Sequence, residues 1–223
     1  MDTTVELTPD LRRLFSHAYV LGGSPCSGKS TVAARLVAQY GLQSYKVDDY
    51  EQTHMARCTS GQPTMFRYAT MRWDDIWMQP VAQQVDDEFA FYRERFTFIL
   101  QDLAQMDPAR PTLLEGAALL PALMRQCGVD PARVLYMVPT ASFQFHHYGQ
   151  RPWIHDILAQ CDDPAQAFAN WMARDQQFGR EVLRQARACG FPTMVVDGAR
   201  SLAATTACVA SMFGLATGGF CQS

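Results

Sequence analysis

Residues 22–31, GGSPCSGKST, constrain this chain more than any other stretch. Glycines at 23 and 28, then Lys29 and Ser30, satisfy G-x-x-x-x-G-K-[ST], a loop whose backbone N–H groups can surround a phosphate chain. Lys29 would reach the outer phosphates and the Ser30 hydroxyl would bind Mg²⁺. The flanks supply the context this loop requires. HAYVLGG (17–23) is a short apolar run that reads as a buried strand. STVAARLVAQYG then places Val32, Ala33, Leu36, Val37 and Tyr40 at helical spacing, with Gly41 as a C-terminal stop. Strand, glycine loop and helix follow one another as the phosphate-binding reading demands.

The rest of the chain continues the alternation. LQSYKV (42–47) predicts a second strand that ends at Asp48-Asp49-Tyr50. Pro80 opens a long helix with Val85, Phe89, Phe96, Leu100 and Leu103 on one face, ending near Met106. PTLLEG (111–116) and RVLYMV (133–138) predict a third and a fourth strand. Asp163-Pro164 starts a helix carrying Phe168, Trp171, Met172, Phe178, Val182 and Ala186, which Gly190 closes. FPTMVVDG (191–198) is a fifth strand and 201–213 a final helix. The expected fold class is α/β: a three-layer phosphate-binding-loop fold with a five-stranded parallel sheet, right-handed crossovers and helices on both faces. Ligands are then expected beyond the strand carboxyl ends. Residues 51–80 and 139–162 show no sustained period and are expected to be irregular, the first a cap over the acceptor and the second a lid. The whole of 1–223 reads as one domain.

Composition excludes several classes. A net charge of −3 offers no electrostatic footprint for nucleic acid or an anionic membrane. No segment has the roughly 18 consecutive apolar residues of a membrane helix, and the N-terminus lacks the pattern of a secretion signal. The 7 cysteines are scattered without a C-x-x-C pair, which argues against a disulfide framework or zinc site and for a reducing, cytoplasmic setting. Of the 19 basic residues only Lys29 and Lys46 are lysines, and one of them stands where the loop needs it.

GGSPCSGKST, followed by VDDY after the second strand, resembles the P-loop small-molecule and nucleotide kinases. TLLEG after the third strand, with LLP at 119–121, is similar to their zeta-toxin and 2-phosphoglycerate-kinase-like branch. The resemblance spans most of the chain as an order of elements, but only the loop is a specific motif. It implies ATP with Mg²⁺ and phosphoryl transfer to a small hydroxylated or anionic acceptor. Gly23, Ser24, Pro25, Cys26, Ser27, Gly28, Lys29, Ser30 and Thr31 would hold the nucleotide. The alternatives are an NTPase that drives a partner and a nucleotide-binding regulatory protein; the sequence leaves the oligomeric state open.

Asp48 and Asp49 sit where the second strand delivers side chains to the sheet edge, and a carboxylate there can orient an acceptor hydroxyl and take its proton. Neighbouring residues face opposite ways, so one of the two is expected to point inward. Related kinases carry an aspartate followed by an aromatic residue here, which favours Asp49. Glu115 closes the third strand and could hold the water shell of Mg²⁺, together with Ser30; many related proteins have Asp there. Charge on the migrating group requires a cation. Arg151, in GQRPW, is the candidate lid arginine, with Arg174 and Arg180 on the following helix; Arg174 is also a candidate nucleotide contact. Asp175 shares the apolar face of that helix and would need a buried partner. Arg57, Arg67 and Arg72, beside Trp73 and Trp77, would suit an anionic acceptor. His54, His146 and His147 have no metal-binding spacing, and Cys26 reads as a small filler within the loop.

Overall fold

Val20 and Leu21 are neighbours on one strand, point to opposite faces and are both fully buried. That is possible only where helices cover both sides of a sheet. The computed structural model, which describes residues 5–215, has this arrangement. In chain order it comprises α1 (Pro9–His17), β1 (Ala18–Gly23), α2 (Lys29–Tyr40) and β2 (Gln43–Lys46). A 3₁₀ turn over Val47–Tyr50 leads into α3 (Glu51–Arg57), α4 (Pro63–Tyr68), α5 (Trp73–Trp77) and α6 (Val81–Leu103). Then come β3 (Thr112–Glu115), α7 (Pro121–Gln126), β4 (Val134–Pro139), α8 (Ala141–Tyr148) and α9 (Pro152–Leu158). The chain continues through α10 (Pro164–Ala188), β5 (Thr193–Val196) and α11 (Leu202–Met212).

The five strands are all parallel in the order β2-β3-β1-β4-β5. Val20, Leu114, Val134 and Tyr136 face a core built with α1, α6, α7 and α10. Tyr19, Leu21, Leu113, Leu135 and Met137 face the other, built with α2 and α11. The expected α/β class, strand count and parallel sense are therefore found. The central place of β1 puts the glycine loop in the middle of the carboxyl edge, with Glu115 of β3 on one side.

Three local readings differ from expectation. Residues 51–80 and 139–162 are not irregular: they hold α3 to α5 and α8 to α9. These helices have only 5 to 8 residues, too few to repeat an apolar period twice, so periodicity could not reveal them. Their starts were legible in other ways, through Pro63, Pro152 and the Thr140 hydroxyl that accepts from Phe143 N. α1 was also not anticipated, although Thr8 caps it, Pro9 begins it and Leu11, Leu14 and Phe15 bury its face.

One buried cation ties the cap side to the sheet. Arg95 of α6 is fully buried and donates from Nη2 to Val47 O (2.6 Å), from Nη1 to Glu51 Oε2 (2.7 Å) and from Nε to His54 Nδ1 (3.1 Å). Because His54 Nδ1 accepts, its proton sits on Nε2, which donates to Asp102 Oδ2 at 2.7 Å. Burial lowers the His54 pKa and agrees with a neutral ring. The Tyr45 hydroxyl donates to the same Asp102 oxygen. β2, the 3₁₀ turn, α3 and α6 are thus held by one hydrogen-bonded chain. Arg95→Met would leave Val47 O, Glu51 and His54 Nδ1 without their donor, and a loss of about 3–5 kcal/mol is expected in urea unfolding. A loss below about 1 kcal/mol would show that this network does not hold these four elements together.

Candidate active site

Backbone shape at the loop follows from its glycines. Gly23 has φ 128°, and a Cβ there would lie 1.9 Å from Met137 O. Gly28, with φ 78°, is the left-handed residue before α2. Cys26 is the one non-glycine among the described residues with positive φ, at 63°. A strained residue at the crown of the loop is the pattern of a site whose shape is imposed by its surroundings. The loop therefore turns back over the N-terminus of α2, where free N–H groups attract anions.

Lys29 is buried in the first turn of α2, and Nζ donates to Ser24 O (2.6 Å) and Ser27 Oγ (3.3 Å). Burial lowers its pKa, opposed by Glu115 and Asp48. Ser30 Oγ donates to Glu115 Oε1 at 3.2 Å, while Glu115 Oε2 is buried without a protein partner. Burial raises the Glu115 pKa, and the nearby Lys29 works against it. A hydroxyl and a carboxylate with one buried oxygen unmatched form a hard oxygen donor set that fits Mg²⁺ and its waters.

These groups open onto one cleft of about 1040 Å³. Its walls include the loop from Pro25 to Thr31, together with Asp48, Glu115 and Arg151. Asp48 and Asp49 part company here. Both carboxylates of the 3₁₀ turn are exposed, so neither is buried as strand alternation predicts for one of them; Asp48 borders the cleft, whereas Asp49 Oδ1 pairs with Lys46 Nζ at 2.5 Å. Asp49, the residue the resemblance favours, is absent from the cleft wall and paired with Lys46, whereas Asp48 lines the cleft. Gly23 and Ser24 lie beneath the loop, and Ser24 N donates to Met137 O.

The arginines also separate. Arg151 caps α9, packs its guanidinium over Tyr148 and Trp153 (4.9 and 5.9 Å to the ring centres) and lines the cleft near Cys26 and Lys29. Arg174 lines the cleft but is bonded to Glu88 and pairs with Asp175 at 2.7 Å, with its guanidinium over Trp77. Burial opposes its charge, yet Asp175 and Glu88 outweigh that and raise its pKa. A free nucleotide contact is therefore not what Arg174 offers. Arg180 is exposed and outside the cleft wall. The cap arginines stand apart from the cleft: Arg57 faces Asp102, Arg67 Asp87 and Arg72 Asp75, and none lines it. Asp87 and Asp102 lie on α6, 20 and 45 positions from Arg67 and Arg57, so those pairs leave no local pattern, whereas Asp75 stands three residues from Arg72 in the first turn of α5 and was legible in the sequence. Asp175 is buried as expected, bonded by the Tyr148 hydroxyl at 2.8 Å.

Sequence reasoning missed Glu88, Tyr92 and Arg95 on α6. The signal was present: 88, 92, 95, 99 and 103 recur at steps of three and four, extending the buried stripe of Ile99 and Leu103 with polar residues. Among the described residues no group of three or more potential metal ligands occurs, and no helix is long and apolar enough to cross a membrane.

No protein-family model matches the chain, and no curated protein matches it. Among solved structures, a gluconokinase from Sinorhizobium meliloti 1021 is similar at 17% identity, over 90% of this chain and 93% of its own, with a TM-score of 0.46. A shikimate kinase from Acinetobacter baumannii, in complex with shikimate, is similar at 16% identity over 89% and 92%, with a TM-score of 0.43. Likeness this distant assigns no residue a role.

Lys29 is costly to bury and bonds only to oxygens that keep other company, since Ser27 Oγ also donates to Ser24 O. Lys29→Met is therefore expected to leave the free energy of unfolding within about 1 kcal/mol of the parent. ATP binding by calorimetry should nevertheless be lost. Retained ATP affinity in that variant would remove the phosphate-binding assignment.

Proposed function

We propose that this chain is an ATP- and Mg²⁺-dependent kinase of a small hydroxylated molecule, working as a single cytoplasmic domain akin to the P-loop small-molecule kinases. The observation that carries this reading is the meeting, in one cleft, of the Lys29 loop, the Ser30–Glu115 pair, Asp48 and Arg151. The zeta-toxin-like branch remains the finer form of the same proposal, and it rests on Glu115 and the LLP that follows.

In this reading the loop amides and Lys29 hold the phosphates, and Lys29 gives up its bond to Ser24 O for a phosphate oxygen. Ser30 and Glu115 would hold Mg²⁺, whose charge would be set against that of the β- and γ-phosphates. Asp48 accepts the proton of the acceptor hydroxyl. That oxygen bonds to the γ-phosphorus as the bond from phosphorus to the bridging oxygen breaks, leaving ADP and a phosphate ester. Arg151 meets the charge on the migrating group. α8 and α9, within 139–162, serve as the lid that brings Arg151 in and excludes water, and α3 to α5 serve as the acceptor cap.

Asp48→Asn is expected to lower kcat by about 10²- to 10⁴-fold with ATP affinity kept, as for loss of a general base. Asp49→Asn should stay within about threefold, since that carboxylate only faces Lys46. The reverse order of damage would return the base to Asp49. Glu115→Gln should raise the Mg²⁺ concentration for half-maximal turnover by about 10- to 100-fold. An unchanged Mg²⁺ requirement would take Glu115 out of the metal's surroundings. Transfer of label from ATP into a panel of hydroxylated metabolites tests the reading as a whole. Release of inorganic phosphate alone, with every acceptor, would favour an NTPase instead.

A further inference from the structure

The chain has 4 tryptophans, at 73, 77, 153 and 171, and all four line the candidate cleft. Trp77 and Trp171 stack with ring centres 4.0 Å apart at 13°, and Trp153 leans on Trp171 from α9. Met55, Met71, Ile76, Phe91 and Ile157 complete an apolar wall. Such a surface is far larger than phosphate binding needs, and apolar walls with few polar groups mark small-molecule pockets.

Its position argues for the acceptor rather than the nucleotide. The wall comes mainly from α3 to α6, the segments that directly follow Asp48 on the β2 side of the loop, where the proton acceptor stands. Charge there is the deciding feature. Of the three cations on the cleft wall, Lys29 and Arg151 sit with the glycine loop. The third, Arg174, is shared between Glu88 and Asp175. Buried Arg95 behind the wall is taken by Glu51. The carboxylates Asp48, Glu51 and Glu88 all reach the same wall. Arg151 touches this wall only at Trp153, its loop end; around Trp73 and Trp77 an acceptor carrying a carboxylate or phosphate would meet engaged ion pairs and no free cation, which costs desolvation without a partner.

Resting on the kinase reading above, we propose that the acceptor is an uncharged aromatic or largely apolar alcohol, held between the tryptophan wall and Asp48. The cleft thereby discriminates against anionic hydroxy acids. Arg57, Arg67 and Arg72, which would suit an anionic acceptor, are paired with Asp102, Asp87 and Asp75 and lie outside the cleft wall.

Matched probes isolate the charge: mandelate against phenyl ethylene glycol, and phenyllactate against the corresponding diol. Each pair differs by reduction of the carboxylate to an alcohol. Binding is read from tryptophan fluorescence with saturating Mg²⁺ and a non-hydrolysable ATP analogue. The diols should bind at least about tenfold tighter than their acids. Glu88→Gln, which removes one carboxylate from Arg174, should narrow that ratio by about threefold or more. Equal or tighter binding of the acids, or no binding by any of the four probes, overturns the proposal. So does competition between a diol and the analogue, which would make the tryptophan wall the nucleobase site. An unchanged ratio in Glu88→Gln overturns the charge argument itself. Failure of the kinase reading looks different: diols would bind as described with no phosphate moving from ATP to them.

Discussion

A missing side chain at position 23 is the constraint on which the rest depends. β4 passes so close to β1 that Met137 O occupies the space of any Cβ at Gly23, and the same carbonyl accepts the N–H of Ser24. That contact ends β1 as a strand and turns the chain into the loop at the centre of the carboxyl edge. The loop in turn sets Lys29 at the start of α2, and Ser30 against the end of β3. A side chain at 23 would push β4 away and disperse the groups that converge on the cleft.

Around that fixed centre the walls are held by paired charges of two kinds. Arg95 joins β2, the 3₁₀ turn and α3 to α6 and so holds the backbone that presents Asp48. Arg174 joins α10 to α6 through Glu88 and supports the Trp77–Trp171 stack. Neither pair is a strong source of stability in itself, because desolvation offsets most of the attraction. Their effect is positional: with the cations satisfied, the cap side keeps an apolar, acid-lined surface while the loop side keeps its free positive charge.

How much of this was legible depended on sequence range. The loop, its strand and α2 were readable because every residue that defines them lies within a few positions. The five parallel strands followed from repeated apolar runs, and Glu115 was recognised as the end of one. Strand alternation did not separate Asp48 from Asp49, because both lie in a 3₁₀ turn and not on the strand; the preference for Asp49 came from the aromatic residue that follows it. Arg57 and Arg67 were hard to read because Asp102 and Asp87, which pair with them, act through tertiary contacts, while the Arg72–Asp75 pair is local to the start of α5. The tryptophans were visible as residues, but their assembly from α5, α9 and α10 into one wall was not, since a stack across more than 90 positions leaves no local pattern.

The central claim is that loop, metal pair, base and lid arginine act on one migrating phosphoryl group. A crystal structure with ADP, Mg²⁺ and aluminium fluoride tests it most directly, because the planar fluoride marks where that group would be. The fluoride is expected between Lys29 Nζ and Arg151, with Mg²⁺ at Ser30 and Glu115 and the Asp48 carboxylate facing the apical position. Nucleotide bound with Asp48 turned away from the fluoride, or with Lys29 still on Ser24 O, would contradict it.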